Sequence, residues 1–145
     1  MKRAEALAEL SRDHHHGLVV AQRLRRADAG SAAGARAAFL DYWTSEGRTH
    51  FRVEEDVLLP AMARHHRSDD PAIVRVLVEH VDLRRRGADL EASADVPVDD
   101  LHALGERLSA HIRHEERVLF PMVEASFADD ELSALGEALA AAHGG

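Results

Sequence analysis

The sequence predicts an all-α protein: an antiparallel, up-down-up-down four-helix bundle with a short extra helix at its C-terminus. Three observations carry this. The composition is biased towards Ala, Leu, Glu and Arg, residues that lose little in a helix. Prolines and Gly/Ser/Asp clusters cut the chain into four long stretches and one short one, and no segment reads as a strand. The 145 residues suit a single domain, residues 1–145, with the bundle over about 2–126 and the last helix over about 129–143.

The first helix is predicted from Lys2 to Ala27, with Leu7, Leu10, Leu18, Ala21 and Leu24 on one face. Residues 28–34 read as a loop. The second helix follows from Ala35 to His65 and turns Phe39, Trp43, Val57, Leu58 and Met62 inward, with a kink expected at Pro60, which lacks a backbone donor. Asp70 and Pro71 form a helix start, as cap and first helical residue. The third helix then runs to about Glu91 with Ile73, Val76, Leu77, Leu83 and Leu90 as its apolar stripe. After a loop at 93–97, the fourth helix spans about 98–126, with Leu101, Leu104, Leu108, Val118 and Leu119 inward. Short loops make successive helices antiparallel.

Bulk properties exclude several functions. The chain has no cysteine, so disulfide scaffolds, iron–sulfur clusters and thiol catalysis fall away. A net charge of −8 argues against nucleic acid as a partner. No apolar run is long enough for a membrane, and Met1-Lys2-Arg3 leads into Ala and Glu rather than a signal-peptide core, so a cytoplasmic location is expected. No exposed patch stands out in the sequence, and monomer and homodimer both stay open. Eleven histidines need a different explanation.

An internal repeat supplies it. His50-Phe-Arg-Val-Glu54-Glu55 through Pro60 aligns without a gap on His111-Ile-Arg-His-Glu115-Glu116 through Pro121, 61 residues later. A weaker echo relates Asp13-His14 to Glu79-His80. Residues four apart on a helix sit about 40° apart around its axis and roughly 6 Å along it, so each His and Glu of a His-x3-Glu pair share a face. That face is the apolar one: His50 lies seven residues after Trp43, and His111 seven after Leu104. His14 and His80 fall on the stripes of their own helices.

Each helix thus sends one histidine inward, and the second and fourth add Glu54 and Glu115. Burying such groups without partners costs several kcal/mol each, of the order of half a domain's stability. A metal pair offsets this by giving every ligand a bond. Imidazole and carboxylate without sulfur suit iron, with manganese and zinc also compatible. If both glutamates bridge and each ion takes two histidines, each ion has four protein ligands. A solvent-derived bridge leaves about one open position per ion, for a small molecule such as dioxygen, peroxide or nitric oxide.

With these motifs in place, the chain resembles the hemerythrin-like, or HHE cation-binding, family over about residues 4–126. The matching segments are Asp13-His14-His15, His50-x3-Glu54-Glu55-x3-Leu59-Pro60, Glu79-His80, and His111-x3-Glu115-Glu116-x2-Leu119-Phe120-Pro121. The resemblance implies a non-haem pair of iron ions with carboxylate bridges and an oxo or hydroxo bridge. The metal ligands expected are His14, His50, Glu54, His80, His111 and Glu115. Oxygen-carrying members have a second third-helix histidine one turn on, where this chain has Arg84, and a His-x4-Asp on the fourth helix, where it has His111-x3-Glu115. The chain is more similar to iron-repair and nitric-oxide-responsive members. The function expected is binding, sensing or scavenging of a small oxidant; a redox enzyme or an iron-donating repair protein is the alternative, and the sequence does not decide between them.

Other polar residues take lesser roles. His14 is favoured over its neighbour His15 by the Leu10/Leu18 stripe, and His16 is expected to be exposed. His114 flanks the site, as an outer partner or a surface residue. His102 and Glu106 are expected to be a solvated pair, and His65, His66 and His143 suit helix ends. Glu55 and Glu116 either orient a histidine or face solvent, with solvent favoured. Trp43 is expected in the core, Tyr42 in packing, and Arg84 beside an acid or a bound anion.

Overall fold

The computed structural model describes residues 2–144. Helix α1 covers Ala8–Arg25 after a 3-10 turn at Glu5–Leu7. Helix α2 covers 32–62, α3 Pro71–Ala92, α4 98–126 and α5 Asp129–Gly144, and the described residues contain no strand. Contacts between helices fix their directions. Along α1 and α4, Arg3 meets Glu124, Ser11 meets Glu116, and Arg25 meets Glu106, so numbering rises on one helix as it falls on the other. The same holds for α2 and α3, where Arg36 donates to the Leu90 carbonyl while Arg84 reaches Glu55. Asp13 with His50 and His16 with Glu46 set α1 against α2; Glu79 with His111 and Asp82 with Arg107 set α3 against α4. The four form the antiparallel bundle that the sequence predicts.

Two glycines let α1 and α4 approach closely. A Cβ on Gly105 would lie 2.7 Å from the Ala21 carbonyl oxygen and 2.9 Å from the Arg25 nitrogen, both backbone atoms that cannot swing aside. One on Gly17 would lie 2.8 Å from Ile112 Cδ1. Helix α5 folds back over one end of the bundle, burying Leu135 and Leu139 beside Leu7, Leu10 and Met62.

The caps explain most helix ends. Asp70 Oδ1 accepts from the Ala72 N–H at 2.9 Å with Pro71 behind it, as predicted for α3. Helix α2 starts at Ala32, inside the stretch predicted as loop, because Asp28 and Ser31 close a tight turn by reciprocal hydrogen bonds and the alanines that follow favour helix.

Ahead of Pro60, where the sequence predicts a kink, the helix makes a widened turn. Residues Glu54–Leu58 and Glu115–Leu119 each form a π turn, in which the Leu59 N–H bonds the Glu54 carbonyl and the Phe120 N–H bonds that of Glu115. Both turns stand just before a proline, Pro60 or Pro121, whose ring crowds an α-helical carbonyl four residues back. The wider turn takes up one extra residue and advances the buried face by one position. Thus Val57 is only half-buried and Leu58 takes its place; Val118 is 42% exposed and Leu119 is fully buried. A third π turn lies at Trp43–Gly47. Leu18 is half-buried, with Val20 in the core, and Leu77, expected inward, is 41% exposed on an outer face of α3.

The core is divided in two. One apolar cluster holds Leu10, Val53, Met62, Val76 and Val123; the other holds Leu24, Phe39, Trp43, Leu83 and Leu108. Between them lies a buried polar layer.

Candidate metal centre

The layer is built by His14 from α1, His50 and Glu54 from α2, His80 from α3, and His111 and Glu115 from α4. None of the six is more than 3% exposed. They fall into two groups, His14, His50, Glu54 and Glu115, and Glu54, His80, His111 and Glu115, within each of which one donor atom per residue lies within 4.8 Å of the others. Both glutamates belong to both groups. Glu54 sends Oε2 to within 3.2 Å of His50 Nε2 and Oε1 to within 3.1 Å of His80 Nε2; Glu115 reaches His14 with Oε1 at 2.6 Å and His111 with Oε2 at 3.2 Å.

The donor set fits metal ions. Nε2 of His50, His80 and His111, both oxygens of Glu54 and Oε2 of Glu115 are fully buried and have no hydrogen-bond partner. Such buried groups are costly unless something else engages them. Six atoms in one layer are left in this way, and all have lone pairs suited to a cation. The π turns place the carboxylates: each begins at the shared glutamate, one turn after its histidine.

Electrostatics inside the layer are strong. Burial alone would favour neutral imidazoles, yet the neighbouring carboxylates outweigh it. His80 is pushed up to about 10 by Glu115, Glu54 and Glu55, and His111 to about 9 by Glu115 and Glu79. His50 is held well above its ordinary range against complete burial by Glu54, Asp13 and Glu115, and His14 is raised by Glu115 and Glu116. Burial would raise Glu115, but His111, His14 and His50 hold it well below the usual carboxylate range. Without an ion, the layer is a set of buried ion pairs.

A second ring of acids orients the histidines. Nδ1 of His14 donates to Glu116 at 2.6 Å, that of His50 to Asp13 at 3.0 Å, that of His80 to Glu55 at 2.6 Å and that of His111 to Glu79 at 2.8 Å. This fixes each ring's orientation, with its Nε2 turned into the layer. The pattern follows the repeat. Within each hairpin the acid preceding the first histidine, Asp13 or Glu79, serves the second histidine. The acid after each shared glutamate, Glu55 or Glu116, serves the histidine of the other hairpin. Each acid is in turn held by a further side chain: Arg3 on Glu116, Arg84 on Glu55, Arg75 on Glu79 and His143 on Asp13.

Several expectations are corrected here. Glu55 and Glu116 face the histidines, not open solvent, because Arg84, Arg3 and Ser11 cover them. Arg84 pairs with Glu55. His102 does not pair with Glu106; it donates to the Ala27 carbonyl at 2.7 Å, while Glu106 takes Arg25. His143 does more than complement a helix end, since it reaches Asp13 across the bundle. His14 takes the inward place on α1, and His15 and His16 are exposed. His114 is buried and donates to the Ala72 carbonyl. His65 and His66 bond Glu131 and Ser126. Tyr42 and Trp43 pack with Phe39 in the core. The roles of Asp13, Glu79, Arg3, Arg75 and His143 were not read from the sequence; the acid before each first-helix histidine was the available signal.

Aromatic rings dry the layer from above and below. Phe51 stacks on His80 with centroids 3.9 Å apart, and Phe120 lies parallel to His14 at 5.2 Å.

A helical bundle with a buried His/Glu layer of this kind defines a cation-binding domain. The model of the hemerythrin HHE cation binding domain matches residues 5–123, and the chain belongs to that family. Comparison with curated proteins and comparison with solved structures each find no match.

Proposed function

We propose that the chain is a di-iron protein that binds, senses or scavenges a small oxidant: dioxygen, nitric oxide or peroxide. The observation that carries this is the sharing of Glu54 and Glu115 by two otherwise separate histidine pairs. His14 and His50 would hold one ion, His80 and His111 the other, and the two carboxylates would span them. When bound, the iron pair supplies redox chemistry and an open position for a small ligand.

The chain's own residues define what such a site admits. Ligand atoms buried at 3% exposure or less exclude substrates larger than a few atoms. Phe51 and Phe120 keep water from the imidazole faces. The outer acids keep each Nδ1–H engaged, so the proton that an ion has to displace is the one on Nε2. Four carboxylates in the outer ring and two within add negative charge around the ions and favour their higher oxidation states. Arg3, Arg75 and Arg84 offset part of that charge at the surface.

The experiment is to load the protein anaerobically with ferrous iron and follow its absorption on adding each ligand in turn. A stoichiometric spectral change with one of them, reversed or discharged on its removal, supports the reading. Sustained turnover of nitric oxide or peroxide with a reductant would favour the enzyme instead. No change with any of the three would overturn both.

A further inference from the structure

Helix α3 is apolar on two separate faces. One buries Ile73, Val76, His80 and Leu83 in the bundle. The other exposes Val74 and Leu77 at 41%, Val78 at 62% and Val81 at 71%. These four stand at i, i+3, i+4 and i+7, a continuous ridge of helical spacing. Three are β-branched valines, which lower helix propensity and gain nothing on a wetted face. A soluble chain that keeps such a ridge uncovered loses stability in the helix and risks non-specific association.

The charges beside the ridge indicate what covers it. Asp69 and Asp70 stand at the N-terminal end of α3, and Arg84, Arg85 and Arg86 near its C-terminal end. Arg75, which also holds Glu79, and Asp82, which also holds Arg86, flank the ridge on its α4 side, nearly equidistant from Val78 along the helix. An antiparallel copy of α3 centred on Val78 would set Arg75 of one copy against Asp82 of the other, twice by symmetry. It would also set the arginine end against the aspartate end and oppose the two helix dipoles. A parallel copy would stack Arg75 on Arg75 and Asp82 on Asp82.

We propose that this face is a self-complementary interface, and that two copies of the chain pair α3 to α3, antiparallel, about a two-fold axis near Val78. The ridge is on the side of α3 away from His80, so the proposal stands whether or not the polar layer holds iron.

The test uses the full chain in a sedimentation series over protein concentration. A monomer–dimer equilibrium is expected, with Val81→Glu weakening association by about tenfold or more at unchanged helical circular dichroism. Because the chain has no cysteine, single thiols report geometry directly. Val78→Cys should form an intermolecular disulfide under mild oxidation. Ala88→Cys should not, since ten residues from the axis its two copies stand about 30 Å apart along an antiparallel pair. Val19→Cys, exposed on α1, should not either. A wild-type chain that sediments as a monomer at every concentration overturns the proposal. So does a Val81→Glu variant that associates like wild type, or an Ala88→Cys variant that cross-links as fast as Val78→Cys.

Discussion

His143 of α5 and Asp13 of α1, 130 residues apart, meet with His143 Nε2 3.3 Å from Asp13 Oδ2. The same carboxylate oxygen accepts from His50 Nδ1 at 3.0 Å. His143 Nδ1 donates to the Leu139 carbonyl at 3.0 Å, so the ring is anchored to its own helix. The last helix is thereby tied to the buried polar layer through two hydrogen bonds. The other three outer acids rest on arginines, so this arm alone depends on the docking of α5.

Removing Asp13 should therefore weaken metal binding by about 10–100-fold, the usual effect of losing an outer partner. His143→Ala, one step further out, should cost about tenfold or less. Competition with a coloured chelator gives both affinities. Equal affinity in Asp13→Ala and wild type would mean that His50 needs no orienting acid.

Glu115→Gln should weaken both ions at once. The substitution keeps the shape but removes a carboxylate common to both groups, leaving a neutral amide among imidazoles. Metal analysis after desalting should show loss at both positions. His111→Ala, by contrast, belongs to one group and should deplete one ion before the other.

The pH dependence of the metal-free chain follows from the ion pairs. His80 and His111 are raised to about 10 and about 9, so their contribution is complete below their ordinary value, about pH 6.5, and is lost as pH rises through 9 and 10. Glu115 is lowered, so its share is present above about pH 4.5 and lost as pH falls through its folded value. Denaturation midpoints without metal should peak between about pH 4.5 and 6.5. Metal binding must expel the imidazole protons, so the stabilisation by added iron or zinc should grow from pH 6 towards pH 9. Midpoints measured with and without metal across that range check both trends.

Gly105→Ala should destabilise by about 1–3 kcal/mol, because the new methyl meets the backbone of α1 at Ala21 and Arg25. A denaturant titration measures it. A change of only a few tenths would mean that α1 and α4 can separate without loss.

Much of this was legible in the sequence because helix spacing is a strong constraint. The Asp70-Pro71 start, the antiparallel order and the inward set of four histidines and two glutamates follow from 3.6-residue periodicity and the repeat. The misplacements of Val57 and Val118 share one cause: a heptad count carried past Glu54 or Glu115 misses the residue that the π turn absorbs. Pro60 and Pro121 signalled a disturbance of the helix, but not that a widened turn would precede each of them. Glu55 and Glu116 were expected in solvent because a side chain 100° from the core lies at a boundary, and only the neighbouring helix decides which way it turns. Contacts as distant as His143 with Asp13 leave no local pattern.

The central claim is that one buried layer holds two ions through two shared carboxylates. Anaerobic titration with ferrous iron, followed by removal of unbound metal and metal analysis, tests it most directly. The account predicts two iron ions per chain, falling at both positions in Glu115→Gln. Less than one iron per chain in the wild type would contradict it.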